Sequence, residues 1–237
     1  MTGLAQLYVD DTNPIIEIQE KHPVLYIMWV IGTRCNFSCS YCPDVWHDKH
    51  SEHKTLEELQ NAWKKIVEVT KDSTKPVLVG ILGGEPTMNP NLLPFLQWVK
   101  LFYNPGKIDI TVYSNGTASL EYYQQLSRVS SFCFSTHSEF FNESKFFSTV
   151  TSVNQFIIEK KLPRHLTVLV MDESWNKHKT DQYIQYLNDN NIDWLLSPVE
   201  PAWKPGTNYP VQKIRPPKGP KKTNKDNLHE RITTRIV

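Results

Sequence analysis

Nowhere in this 237-residue chain do about eighteen apolar residues follow one another; the longest apolar run, Val24–Ile31, is far too short to cross a bilayer, so a membrane-spanning helix is excluded. The opening residues, Met1-Thr2-Gly3-Leu4-Ala5-Gln6, lack the basic-then-apolar pattern of a secretory leader, and a cytoplasmic location is expected. Cysteine is scarce. There are four, three of them within eight positions, which excludes a disulfide scaffold. No repeat of fixed period and no sustained heptad is present, so a solenoid and a coiled coil are excluded as well. What remains is 39% hydrophobic and 22% charged, the composition of a globular body, and the length suits one domain, or one domain with a tail.

The formal net charge of +1 conceals an asymmetry. From Lys204 to the end stand nine Lys and Arg against Asp226 and Glu230, a net +7, which leaves −6 on the rest. Such a division speaks to partners and solubility rather than to fold. Pro205, Pro210, Pro216, Pro217 and Pro220 among these lysines read as an extended segment, while Leu228, Ile232 and Ile236 form a helical stripe and Ile232, Thr234 and Ile236 fit a strand equally well. The expected divisions are an N-terminal extension (1–20), a core domain (21–204) and a basic Pro/Lys-rich extension (205–237). Leu7–Val9 and Ile15–Ile18 are candidates for a small hairpin against the body.

Between these ends, strand-like and helix-like segments alternate. Val24–Ile31, Pro76–Leu82, Ile108–Tyr113, Ser131–Ser135, His165–Met171 and Ile192–Pro198 read as strands. Thr55–Val69, a helix from Asn89 as cap through Phe102, Ser119–Val129, Ser144–Lys160 and Lys179–Asn190 read as the helices between them. Six strands in such alternation predict an α/β fold with a parallel sheet and right-handed crossovers, open or curled. In either form, ligands belong at the carboxyl ends of the strands.

Chemistry-bearing residues fall at those ends. Cys35-Asn36-Phe37-Ser38-Cys39-Ser40-Tyr41-Cys42 follows the first strand. Three thiolates at spacings of four and three can each bind a different iron of one cubane, leaving a fourth iron open. Soft thiolates also suit zinc, but a structural zinc wants four ligands, and the remaining candidates are His47 or Cys133. Cys133, between Phe132 and Phe134, reads as a buried inert thiol. Gly83-Gly84-Glu85-Pro86-Thr87 follows the second strand: two glycines permit close backbone approach to a ligand, and a carboxylate can accept from an ammonium group. Ser114-Asn115-Gly116-Thr117 ends the third strand and Ser135-Thr136-His137 the fourth. Asp44, Trp46, His47, His50 and His53 lie in the loop beyond Cys42 and are candidates to line a substrate, with a solvated loop as the plainer reading.

Cys-x3-Cys-x2-Cys with an aromatic before its last cysteine, followed one strand later by Gly-Gly-Glu-Pro, resembles the signature of the radical S-adenosylmethionine (radical SAM) superfamily over about residues 20–200. The resemblance implies a partial (β/α)6 barrel of the radical SAM type. It implies a [4Fe–4S] cluster on Cys35, Cys39 and Cys42, with Tyr41 near the adenine of S-adenosylmethionine. Gly83, Gly84 and Glu85 would hold the methionine end, and Ser114, Asn115 and Ser135 the ribose side. Many relatives carry Ser-x-Asp where this chain has Ser135-Thr136-His137, which leaves the role of His137 open. Val168 and Val170 are candidates to pack on adenine, with core packing the safer reading.

The implied activity is reductive cleavage of S-adenosylmethionine to methionine and a 5′-deoxyadenosyl radical that abstracts hydrogen from an unidentified substrate, a small or nucleotide-like metabolite or a peptide. A flavodoxin or ferredoxin would donate the electron, and no membrane is involved. No cysteine follows Cys133, which argues against auxiliary clusters. The alternative is a metal- or Fe–S-containing protein that binds nucleic acid through its basic tail without radical catalysis; the tail's lack of interleaved aromatics weighs against it. An ordinary methyltransferase would need a Gly-rich loop where the cysteines stand.

Overall fold

A computed structural model describes residues 15–18, 24–42, 48–102, 108–173 and 177–199. Seven strands form one sheet: β1 (Ile15–Ile18), β2 (Leu25–Val30), β3 (Val77–Leu82), β4 (Ile108–Ser114), β5 (Ser131–Ser135), β6 (Leu166–Glu173) and β7 (Asp193–Val199). Their spatial order is their order in the chain. β2 to β7 run parallel and β1 lies antiparallel on β2, so the sheet is a curled half-barrel of six parallel strands with one added edge strand. Five helices fill the crossovers: α1 (Leu56–Thr70), α2 (Leu92–Phe102), α3 (Leu120–Leu126), α4 (Glu143–Glu159) and α5 (Lys177–Asp189). Of the expected N-terminal hairpin, Ile15–Ile18 forms a strand on β2 and Leu7–Val9 lies outside the described residues. So does the whole segment from Lys204.

The helix starts have local causes. Thr55 and Glu58 form a capping box: the Thr55 hydroxyl accepts from Glu58 N–H at 3.2 Å and the Glu58 carboxylate from Thr55 N–H at 2.7 Å. The Asn89 side chain accepts from Asn91 N–H at 2.9 Å, as its reading as a cap requires, and the regular helix begins at Leu92. Ser119 and Asn142 cap α3 and α4 in the same way.

One core fills the space between sheet and helices. Ile27 and Trp29, Val79 and Ile81, Val112, Phe132 and Phe134, and Val168 and Val170 project from alternate positions of successive strands. They meet Leu59, Trp63 and Ile66 of α1, Leu92, Phe95 and Leu96 of α2, Tyr123 of α3, and Val150 and Val153 of α4. Trp29 and Phe95 meet edge-to-face at 5.5 Å, as do Tyr123 and Phe134 at 4.9 Å. Val168 and Val170 are therefore core residues, fully buried. Cys133 is buried as well, and burial pushes its thiol up to about 12.

Candidate functional site

The loops that leave the carboxyl ends of β2, β3, β4 and β5 are tied to one another. Parallel pairing between β2 and β3 continues past both strands: Ile31 N–H donates to Leu82 O at 2.9 Å, Gly84 N–H to Gly32 O at 3.0 Å and Glu85 N–H to Arg34 O at 2.9 Å. The two glycines are required by this approach. A Cβ on Gly83 would stand 2.2 Å from Gly32 O, and its φ of +152° is itself poorly suited to other residues. A Cβ on Gly84 would stand 2.3 Å from Arg34 O. The backbone that demands glycine here is the chain's own.

Glu85 is 3% exposed. One carboxylate oxygen accepts from Thr87 N–H (3.0 Å), the Thr87 hydroxyl (2.6 Å) and the Ser114 hydroxyl (2.9 Å); the other accepts from Asn115 N–H (2.6 Å). Burial pushes its pKa up against these donors. Ser114 also meets the Tyr123 hydroxyl at 2.8 Å, so its hydroxyl is turned inward. Asn115 reaches the cysteine loop, its amide donating to Asn36 Oδ1 at 2.8 Å, while the Asn36 amide donates to the Thr117 hydroxyl at 2.9 Å. Gly116, at φ +77°, closes the turn, and a Cβ there would meet the Phe146 ring. Ser135 is buried at the end of β5.

None of the three loop cysteines is in a disulfide; Cys35 and Cys39 are buried and Cys42 is half-buried. They pack with Phe37, Tyr41, Phe141, Met171 and Val199 in an apolar cluster that Phe141 joins to the main core. Lys49 spans the loop, donating to Cys35 O at 2.9 Å and Phe37 O at 2.8 Å. Asp48 anchors its far end, accepting from the Thr33 hydroxyl at 2.5 Å, the Ser51 hydroxyl at 2.8 Å and the His50 and Ser51 N–H groups. These hydrogen bonds hold the Asp48 carboxyl well below the usual range.

From the β5 end, Glu139 accepts from Ser40 N–H at 2.7 Å and from the Ser40 hydroxyl, and His137 lies against Tyr41 and Cys39. Desolvation holds the His137 imidazole down at about 4. Cys39 is pushed up to about 12 by burial, with Cys42, Glu139 and Cys35 adding to the rise. Cys35 moves in the same direction, chiefly through burial.

The expected residues thus divide. Cys35, Cys39, Cys42 and Tyr41 share one loop, to which Gly83, Gly84, Glu85, Asn115 and His137 are joined directly. His50 and His53 lie on the irregular segment before α1 and share no helix face. Asp44, Trp46 and His47 fall outside the described residues. Sequence reasoning missed Asp48, Lys49 and Glu139. The Asp48-x-x-Ser51 turn pattern was available as a signal; nothing in the sequence joined Glu139 to a serine 99 residues away.

This donor set fits an iron–sulfur cluster. Three soft thiols meet in an apolar pocket, and Cys35 and Cys39, whose pKa values burial raises, need a metal's positive charge to become thiolates. Among the described residues, no three His, Cys, Asp or Glu side chains gather tightly enough to hold a single metal ion. A cubane asks for a wider arrangement, since each cysteine binds a different iron. No described helix is long and apolar enough to cross a membrane.

Comparison with known proteins follows the same lines. No curated protein matches the chain. Thirteen chains of solved structures do. One of them, a hexahistidine-tagged anSMEcpe with bound AdoMet, aligns over 80% of this chain at 17% identity with a TM-score of 0.57, a likeness of fold. This chain spans 56% of that one's length. The family model of the Radical SAM superfamily matches residues 29–142, from β2 through the cysteine loop to the loop after β5. With cysteines and Gly-Gly-Glu turn joined at the mouth of a parallel half-barrel, residues 29–142 form a domain of the radical SAM superfamily.

Proposed function

We propose that Cys35, Cys39 and Cys42 hold a [4Fe–4S] cluster and that the chain uses it, with S-adenosylmethionine, to begin a radical reaction on a substrate not yet identified. The match to the superfamily's model supports an enzyme of the radical SAM kind. One observation carries the finer reading: the cysteine loop and the Gly83-Gly84-Glu85 turn are hydrogen-bonded to each other at the carboxyl end of the sheet. When bound, the two cofactors would supply reductive cleavage to methionine and a 5′-deoxyadenosyl radical that takes a hydrogen atom from the substrate.

The chain's own residues have separate tasks in this reading. The three cysteines ligate, and Lys49 and Asp48 keep their loop in shape. Glu85 retains unused lone pairs on the oxygen that accepts from Asn115, a place for the ammonium of the methionine moiety. The Gly83-Gly84 backbone lies beside it. Asn115 and Ser135, with Ser114 behind them, form the side assigned to the ribose. Phe37, Tyr41, Met171 and Val199 keep water from the thiols. A flavodoxin or ferredoxin would supply the electron.

Anaerobic reconstitution tests the reading. The protein should take up about four irons and four sulfides per chain and, with a reductant, release 5′-deoxyadenosine from S-adenosylmethionine. Cys39→Ala should abolish both, and Cys133→Ala should leave both intact. Bound metal without sulfide would overturn it.

A further inference from the structure

The loop after β5 meets the cysteine loop at more points than a turn between strand and helix requires. Phe140 and Phe141 N–H both donate to His137 O at 3.0 Å, which folds the loop back on itself. Glu139 binds Ser40 twice, and Phe140 stacks on Phe37 with ring centroids 5.6 Å apart. At the centre lies His137. Its ring is nearly parallel to that of Tyr41, 15° between planes, and its Nδ1 stands 2.7 Å from the Tyr41 hydroxyl and 3.7 Å from Cys39 Sγ. The Tyr41 hydroxyl also lies within reach of the Cys39 sulfur.

Counting protons decides how these three atoms are joined. A metal-bound thiolate can only accept. Tyr41 has one hydroxyl proton, and a neutral imidazole has one N–H. If Nδ1 is bare, the Tyr41 proton is drawn to it and the sulfur receives nothing from the phenol. If Nδ1 carries the proton, the Tyr41 oxygen at 2.7 Å is a much nearer acceptor than the sulfur at 3.7 Å, so Nδ1–H donates to Tyr41 and the Tyr41 proton can go to the sulfur. The second arrangement places a charge-assisted bond on the one anionic member, so it is the more stable when Cys39 is a ligand. Hydrogen bonds to cluster sulfurs stabilise the more negative, reduced state and thereby set its potential.

We propose that His137 and Tyr41 form a hydrogen-bond relay onto Cys39, His137 Nδ1–H to the Tyr41 oxygen and Tyr41 O–H to the sulfur, and that this relay raises the reduction potential of the cluster. The proposal rests on the cluster assignment above. It gives the aromatic of the cysteine motif a task for its hydroxyl, and it gives His137, which departs from the pattern of many relatives, a positioning role through Tyr41.

The test is a redox titration, followed by paramagnetic resonance, of full-length reconstituted protein without S-adenosylmethionine, with iron and sulfide measured on each sample. Tyr41→Phe and His137→Phe should each move the midpoint to more negative potential at full iron content. The double variant should go no further than Tyr41→Phe alone, because the two act in series. His137→Asn, whose amide nitrogen takes the place of Nδ1, should stay near the wild-type value. If His137→Phe fails to load iron, Tyr41→Phe, which loses one oxygen atom and keeps its ring, decides the matter. An unchanged midpoint in Tyr41→Phe at full loading, or shifts that add in the double variant, would overturn the relay. A wild-type protein that binds no iron and sulfide would overturn the cluster assignment itself, a failure read from composition and not from potential.

Discussion

Glu85 accepts four hydrogen bonds from its own chain, and all of them are lost on truncation. Glu85→Ala leaves the Asn115 and Thr87 amides and two hydroxyls without an acceptor at a site 3% exposed. Buried groups stranded in this way should lower stability by about 2–3 kcal/mol, visible as a lower denaturant midpoint. Glu85→Gln keeps an acceptor oxygen and removes only the charge, so it separates the two roles. If the carboxylate also meets the methionine ammonium, the Gln variant should load its cluster normally and bind S-adenosylmethionine roughly ten- to hundred-fold more weakly. Wild-type affinity in that variant would confine Glu85 to holding the turn. The motif was legible in the sequence; its partners were not, since Ser114 and Asn115 stand 29 and 30 positions away and only the parallel register of β3 on β4 brings them near. The two glycines were expected to let a ligand approach the backbone; the group that approaches them in the structure is the backbone of residues 32–34.

At the scale of elements, that approach works as an extension of the β2–β3 ladder beyond the strands proper. It ties the cysteine loop to the next loop along the sheet without any side chain. Gly84→Ala places a methyl 2.3 Å from Arg34 O and 2.4 Å from Thr33 O, both backbone, so the two loops must part. A loss of about 2–3 kcal/mol is expected, with weakened retention of iron after gel filtration. Gly32→Ala is the matched control: a Cβ there meets nothing within 4 Å, and stability should be nearly unchanged. Equal effects from the two substitutions would refute the extended ladder. Strands and helices were the legible part of this fold, because buried parallel strands read as continuous apolar runs and helices as stripes. Ser131–Ser135 is legible to the residue. The capping box at Thr55 and Glu58 was also within reach of the sequence, as Thr-x-x-Glu before an apolar stripe. The clamp from the β5 loop was not, for it depends on the curl of the sheet bringing residues 137–140 over residues 37–41.

For the whole molecule, the described core draws on residues from Ile27 to Ile192, with Val199 completing the cluster around the cysteines. The site residues lie between Gly32 and Val199. A chain ending at Lys204 should therefore melt close to the full-length protein and still release 5′-deoxyadenosine, while losing turnover of its substrate if the +7 segment captures an anionic partner. In that case full-length turnover should fall steeply with salt. A large drop in melting temperature would show instead that Leu228, Ile232 and Ile236 belong to the core.

The strand order has a kinetic corollary. To close into a complete barrel, β7 would have to pair with the outer edge of β2, and that edge is already occupied by antiparallel β1. The sheet is thus a trough and not a well, and its length is open by connectivity rather than by motion. A bulky molecule need not thread a ring of strands to reach the thiols, and the sheet itself imposes no opening step before encounter. Among the described residues, what stands over the thiols is the loop cluster and not the sheet.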